Sequence, residues 1–557
     1  MCIGWNTDRW ASLGLTACVL AQVLFILAFD PFPTADMAAH LASAGGFAKV
    51  IGGGSVTTSR FLEWNFIPPP NLLPQLALGA LVAAVGSRWA ERIILIGYVI
   101  SFTFAASWAI RQTQPRVMML SSFVLPLTFN LPFLWGFLNF SYSIAGFFLI
   151  AGLLMRWEGR LDPSRTMTLA SAMVLVFLTH LVGYLEAGLL AVCILGAACI
   201  LSDRPLAAFT HAMIALTPAT VLTLAFIIVT RSEPGPISFH LADKLTVLKD
   251  LVSLTTGVAA YDRLERVPCI ATGLALWVLV LSAAVRGRWS WIRQPVPLGL
   301  ATFVLLSSVA AIFAPDEIGS GGTLGSIRYA LFPILGTILW LAYQPLPARI
   351  LVLGAAIACL SALSLATIRY DELRAIEVAL QDLRKLESCI SQDSTVVQAN
   401  VRKVRFGSLA RPSSLTAETG RLTAARDALD LSNVDWSVPF GLLRFKAETN
   451  PYTHLVHPGK GFFLIESAPA PLDFEGFKRR TGILIDYVVV FGRVMPPDAV
   501  EAPPRGKSPA LIARELNRFE SSLNDNYIRV KTSPLGIWEL WARRVAASGE
   551  STSVCPD

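Results

Sequence analysis

Three groups of side chains in this sequence could do chemistry beside an apolar stretch. Asp30 closes the first long apolar run, and Asp36 and His40 follow it at a spacing of i, i+4, which places a carboxylate and an imidazole on one side of a helix. Such a pair can take a proton from a hydroxyl, the task of a general base. Charges at the end of a span also serve as solvated interfacial or capping groups. His180, Tyr184 and Glu186 fall in LTHLVGYLEAGLL, at the join of two closely spaced apolar runs. An ionisable residue inside a span costs about 2.5–3.5 kcal/mol on insertion scales, so it usually faces a cavity or a partner. A turn at Gly183 would instead leave His180 and Glu186 at the interface as structural groups. Arg328 opens a late apolar run after GSGGTLGS, with Asp316 and Glu317 upstream. Its planar fork of donors suits a phosphate, and an ordinary interfacial anchor is the alternative. The Gly-rich stretch lacks a GK[ST] ending and reads as a hinge rather than a phosphate loop.

The elements that must position these groups are membrane spans. Only 15% of the 557 residues are charged and 54% are hydrophobic, and the mean hydropathy is +0.56, a balance that makes the bilayer the solvent. Apolar runs near 11–29, 72–87, 93–110, 136–155, 166–182, 185–202, 205–229, 267–285, 295–313, 328–344 and 350–368 predict about eleven transmembrane helices. The stretch from Val117 to Pro132 is apolar but holds Pro126, Asn130 and Pro132, and reads as a short or re-entrant helix. With the N-terminus inside, Arg88 and Arg92, Arg156, Arg160 and Arg165, Arg204, Arg286, Arg288 and Arg293, and Arg349 are all expected on the cytoplasmic side. An odd number of crossings then puts the tail outside. The first run is longer than a signal-peptide core and is not followed by a small-residue cleavage site, so it is expected to stay as a span.

Residues 1–369 therefore form a transmembrane module with external loops at 30–71 and 231–267, and residues 370–557 a small α/β domain outside the membrane. In the first loop, Thr34 to Ile51 predicts an amphipathic helix, with Met37, Leu41, Ala44, Ala48 and Ile51 as its apolar stripe and Asp36, His40 and Ser43 beside it, lying along the membrane surface. In the second, His240 to Leu254 repeats the pattern. The tail predicts helices at Asp371–Leu386 and Pro509–Leu523, strands at Thr395–Gln398, Phe462–Ile465, Ile483–Phe491 and Tyr527–Val530, and a Pro-rich loop from Met495 to Pro509. The net charge of +7 sits in short clusters between apolar runs, which excludes a nucleic-acid partner. Of the eight cysteines only Cys389 and Cys555 lie in the tail proper; an oxidising compartment would permit a disulfide, and the closeness of Cys555 to a frayed end speaks against one.

A site on the outer face has neither ATP nor nucleotide sugars, so a group-transfer enzyme there draws its donor from the membrane. The succession DPFPTADMAAH, GFLNFSYSIAGFFLIAGLLMRW, FLTHLVGYLEAGLL, SIRYALFPILG and IDYVVVFG, in this layout over most of the chain, resembles the GT-C class of integral membrane glycosyltransferases. That resemblance implies a GT-C-like α-helical polytopic fold and sugar transfer from a polyprenyl-phosphate carrier. It also implies a catalytic carboxylate in the first external loop, which maps onto Asp36, with Asp30 second. The chain departs from the class pattern in lacking a DxD or ExD pair after the first span, so a divalent metal cofactor has no clear motif here. The expected activity is an inverting transfer to an extracytoplasmic glycan, lipid or protein acceptor at the plasma (inner) membrane. Asp36 would act as base, His40 would orient it, and Arg328, His180, Glu186 and Tyr184 would bind substrate. A transporter or flippase of lipid-linked sugar or polysaccharide is the alternative from another class, and a non-catalytic scaffold a third. Transporters of that kind show paired broken helices in matching halves, which are not found here.

Overall fold

Long apolar runs have only one way to satisfy their backbone in a bilayer, and they become helices. In the computed structural model, which describes residues 4–65, 69–113, 115–230, 237–238, 248, 251–287, 290–315, 317–318, 325–404, 406–412, 415–437, 441–457, 469–494, 509–544 and 555, seven helices are long and apolar enough to cross a membrane. Three shorter apolar helical stretches, Ser12–Leu27, Met118–Leu134 and Ile327–Leu341, accompany them. Large apolar side chains point outward along them, Leu206, Leu224 and Ile228 on the Pro205–Thr230 helix among others, as lipid-facing positions require. The chain is a multi-pass helical membrane protein with a small C-terminal sheet region.

The chain divides into two units. The first comprises Met1–Ala28, Pro68–Pro74 and Leu95–Asp371. Within it the proline-bearing stretch is a succession of short helical pieces, Pro115–Val124, Leu125–Thr128 and Leu131–Leu134. The backbone groups freed at the breaks are taken up locally. Tyr98 donates to Thr128 O (3.0 Å), Asn130 Nδ2 donates to Leu127 O (2.9 Å), and Asn130 Oδ1 accepts the Phe133 N–H (2.9 Å). Broken helix is tolerated at membrane depth where neighbouring groups re-satisfy the backbone in this way. The join in LTHLVGYLEAGLL is at His180, extended at φ −169°, between the helices Pro163–Thr179 and Leu181–Ile200. The break thus falls at His180, three residues before Gly183, where a turn would have left His180 and Glu186 at the interface.

The second unit comprises Phe29–Ile67, Gln75–Ile94 and Glu372–Asp557. Its centre is a five-stranded mixed sheet in the order Leu429–Asp430, Thr395–Asn400, Tyr487–Phe491, Trp538–Arg543, Tyr527–Thr532. The first two pairings are parallel and the last two antiparallel. Helices Thr419–Arg426 and Phe474–Thr481 lie in the connections that return the chain to parallel neighbours, as parallel pairing demands. The expected strand Phe462–Ile465 and the loop from Met495 lie outside the described residues, as does most of His240 to Leu254. The first loop is woven into this unit: Leu62–Trp64 pairs antiparallel with Leu443–Phe445.

Two expectations are corrected in this unit. The loop helix, Met37–Ile51, does not carry an exposed polar face along a surface: Met37 to Ala44 are all buried, His40 and Ser43 included. The helix Thr419–Arg426 packs directly on it, and Gly420 makes the crossing feasible, since a Cβ there would fall 2.0 Å from Ala38 O. The second correction concerns sidedness. Leu72–Arg111 is one long helix broken in direction at Gly86, whose φ of 78° only glycine adopts readily. Beyond the break, Arg92 pairs with Asp30 (3.2 Å) and Arg88 with Glu387 (3.0 Å). Ion pairs of 3 Å cannot join residues across about 30 Å of hydrocarbon, so Arg88 and Arg92 share a side with Asp30 and the tail. The run near 72–87 is therefore not a crossing that carries them to the opposite face.

Candidate functional site

The predicted site residues fall into two clusters, one in each unit. In the second unit, Asp36 occupies the N-cap position of the loop helix, but its carboxylate does not cap the helix. It is about one-quarter exposed, and its Oδ2 lies 3.8 Å from His40 Nε2. His40, one turn along, is almost fully buried and meets a second carboxylate, Asp435 Oδ2, 3.4 Å from Nδ1. Asp435 comes from the tail, where Asn433 starts a short turn of helix by accepting the Asp435 N–H (3.1 Å). Ser43 Oγ donates to Asp435 Oδ2 (3.3 Å), and Asn433 Nδ2 donates to Ser43 Oγ (2.8 Å) and to Ala39 O (3.2 Å). An imidazole thus stands between two carboxylates, with the helix N-terminus favouring negative charge at Asp36. Ser43 also lines a small crevice with Phe47, Gln75, Trp436 and Leu443.

Asp30 is held differently. Its Oδ1 accepts from Arg384 (2.8 Å) and pairs with Arg92 (3.2 Å), its N–H donates to Glu377 Oε1 (2.7 Å), and its carbonyl takes Gln381 Nε2 (3.2 Å). Partial burial raises its carboxyl, but the Arg384 bond and charge with Arg92 and Arg88 outweigh that and hold it below the ordinary range. A carboxylate so engaged is a weak base and a strong structural tie.

In the first unit, Arg328 is half-buried, its guanidinium 4.2 Å from the Phe137 ring centre and 5.9 Å from that of Phe140. Phe140 in turn meets the His180 ring edge-on at 5.4 Å. His180 caps the Leu181–Ile200 helix, with Nδ1 accepting the Val182 N–H at 3.1 Å. That bond leaves the ring proton on Nε2, which is therefore a donor. Tyr184 shares a hydrogen bond with Thr220 Oγ1 (3.3 Å), and Glu186, buried, accepts from Ser307 Oγ (2.8 Å). A cation and a neutral donor are thus gathered around one aromatic ring.

Sequence reasoning missed Asp435, whose partner is hundreds of residues away, and two buried ion-pair groups. Glu265 and Arg369, both buried, bond through Arg369 Nη2 (2.7 Å) and Nε (2.8 Å) to Glu265 Oε2. Arg421, buried in the second unit, holds Glu91 and Glu418. The DRLE pattern at 262–265, which forms a capping box, was a readable signal for Glu265. Among the described residues no group of three or more His, Cys, Asp or Glu could hold a metal ion. Cys389 and Cys555 form a disulfide, against the argument from the frayed end.

No family model matches the sequence, and no curated protein matches it. By fold it is similar to ArnT from Cupriavidus metallidurans in the apo state, with a TM-score of 0.54 and 11% identity over 96% of this chain and 98% of the other. It is likewise similar to the same ArnT bound to undecaprenyl phosphate, with a TM-score of 0.51 and 10% identity over 98% and 99%.

Proposed function

We propose that this chain, whose fold is shared with ArnT along nearly its whole length, is a membrane glycosyltransferase that takes a sugar from a polyprenyl-phosphate carrier and passes it to an extracytoplasmic acceptor. The observation that carries the reading is that end-to-end likeness, which includes an ArnT bound to undecaprenyl phosphate. The local geometry is consistent with it. Asp36, partly exposed and 3.8 Å from the His40 imidazole, acts as general base on the acceptor hydroxyl, and Asp30 holds the loop to its neighbours. Attack by the acceptor oxygen on the anomeric carbon, opposite the departing phosphate, inverts the configuration. Within the first unit, Arg328, stacked on Phe137, and the His180 Nε2–H offer charge and a hydrogen bond suited to binding a lipid phosphate. Tyr184 and Glu186 lie on the helix that His180 starts, within the same substrate-binding region.

In this reading the protein sits in the plasma (inner) membrane, with its N-terminus inside and residues 30–94 and the tail outside. The span lost at 72–87 is replaced by the broken stretch Met118–Leu134, so the count remains eleven and the Arg-rich loops at 156–165, 204, 286–293 and 349 stay cytoplasmic. Reporter fusions after Arg160 and after Arg369 should give opposite sides, and equal signals would refute the parity. The test of activity is release of sugar from a polyprenyl-phosphate donor by the purified protein in lipid. No release with any such donor, from protein that is folded and binds polyprenyl phosphate no better than a neutral lipid, would refute the assignment.

A further inference from the structure

A base that has taken a proton must pass it on before the next turnover, and the surroundings of Asp36 suggest where it goes. We propose that Asp435 of the tail is a positioning residue for His40, and that His40 receives the acceptor's proton from Asp36. This rests on the reading of Asp36 as the base.

The geometry supplies the order of events. Asp435 Oδ2 lies 3.4 Å from Nδ1 of the ring and Asp36 Oδ2 lies 3.8 Å from Nε2. A carboxylate at Nδ1 favours the tautomer protonated there, turns the Nε2 lone pair toward Asp36 and stabilises the imidazolium once it forms. Asp435 is itself fixed by the Ser43 hydroxyl and by the Asn433 side chain, which reaches back to Ala39 of the loop helix. The charged groups on neighbouring elements are engaged elsewhere: Arg421 by Glu91 and Glu418, Lys49 by Ala428 O, and Asp430 by Thr419 and the Ser432 N–H.

The step balances. The acceptor O–H bond breaks as Asp36 takes the proton; the oxygen bonds to the anomeric carbon; and the carbon–oxygen bond to the lipid phosphate breaks with its electron pair leaving on phosphate. The proton then moves from the Asp36 carboxyl to Nε2 as the carboxyl rotates toward the ring, since such contacts are often long in the unliganded state. His40 finally releases it to water. No further reactant is needed.

The test uses the full-length protein in lipid. In Asp435→Asn, which keeps the shape and the Ser43 bond, kcat should fall roughly ten- to a hundredfold, by analogy with other groups that orient a working histidine, while KM for the donor is unchanged. Loss of the negative neighbour lowers the affinity of His40 for a proton, so the acid limb of the kcat profile should move to lower pH. The His40 imidazole, followed by NMR, should titrate lower by the same margin without any substrate present. Asp435→Glu should recover part of kcat. An unchanged kcat and an unchanged His40 titration in Asp435→Asn, with Asp36→Asn inactive, would overturn the inference and leave the base in place. Full turnover in Asp36→Asn would overturn the relay together with the reading beneath it.

Discussion

Two groups of buried charged side chains, one in each unit, differ in how closely their members approach. Glu265 accepts the N–H groups of Ala260 (2.9 Å), Tyr261 (2.7 Å) and Asp262 (3.0 Å) as well as Arg369. Arg369 in turn donates to Phe129 O (2.7 Å) and Val258 O (2.5 Å), so one ion pair ties together three stretches of its unit. Every contact is at hydrogen-bond length, as a buried charge requires. Around His40 the carboxylates stand at 3.4 and 3.8 Å, longer than a settled hydrogen bond. The first arrangement has finished its chemistry in folding; the second keeps room for a proton to move.

The contrast is sharpest under mutation. Arg369→Ala strands a buried carboxylate, and removing one partner of such a pair costs about 3–5 kcal/mol. The purified variant should lose its cooperative thermal transition or melt far below the parent, whereas any turnover by molecules still folded should be near normal. A variant that melts like the parent would show that Glu265 relaxes to water and that the saturated pair is not a clamp.

Next in size is the tail. The Cys389–Cys555 bond closes a sequence separation of 166 residues, and removing a native disulfide commonly costs about 2–4 kcal/mol. Cys555→Ser should abolish the mobility difference between reduced and non-reduced protein and lower the melting of the second unit, with a smaller effect on the first. Identical mobility in the parent under the two conditions would count against the bond and against an oxidising location for the tail.

Arg328→Lys should have the smallest effect. A point charge replaces the planar fork, and losing one charge-assisted hydrogen bond costs about 1.5 kcal/mol, roughly tenfold in donor binding. Stability should not change. An unaltered affinity for polyprenyl phosphate would return Arg328 to the role of interfacial anchor on Phe137.

The sequence made the helical scaffold legible because hydropathy over a span is a sum of many residues and survives local irregularity. It misread 72–87 because Arg88 and Arg92 obey the same compositional rule whether they face the cytoplasm or pair with Asp30; only the partner distinguishes them. The strand Trp538–Arg543 was invisible because it is buried on both faces, Glu539 and Trp541 as well as Trp538 and Leu540, and so shows no alternation. Asp36 and His40 could be nominated because one helical turn joins them. Asp435 could not, since its link to the loop helix through Ser43 spans 392 residues and its local sequence, NVDWS, is that of any short turn.

The central claim is that the carboxylate group around His40 is catalytic, and the most direct test is Asp36→Asn, with sugar release from a polyprenyl-phosphate donor and thermal melting measured on the same preparation in lipid. The substitution keeps the shape and removes the base, so turnover should fall by about 10²–10⁴ while the melting midpoint stays within a degree or two of the parent, about the effect of a surface change. Near-normal turnover with unchanged melting would contradict the account and remove Asp36 from the chemistry.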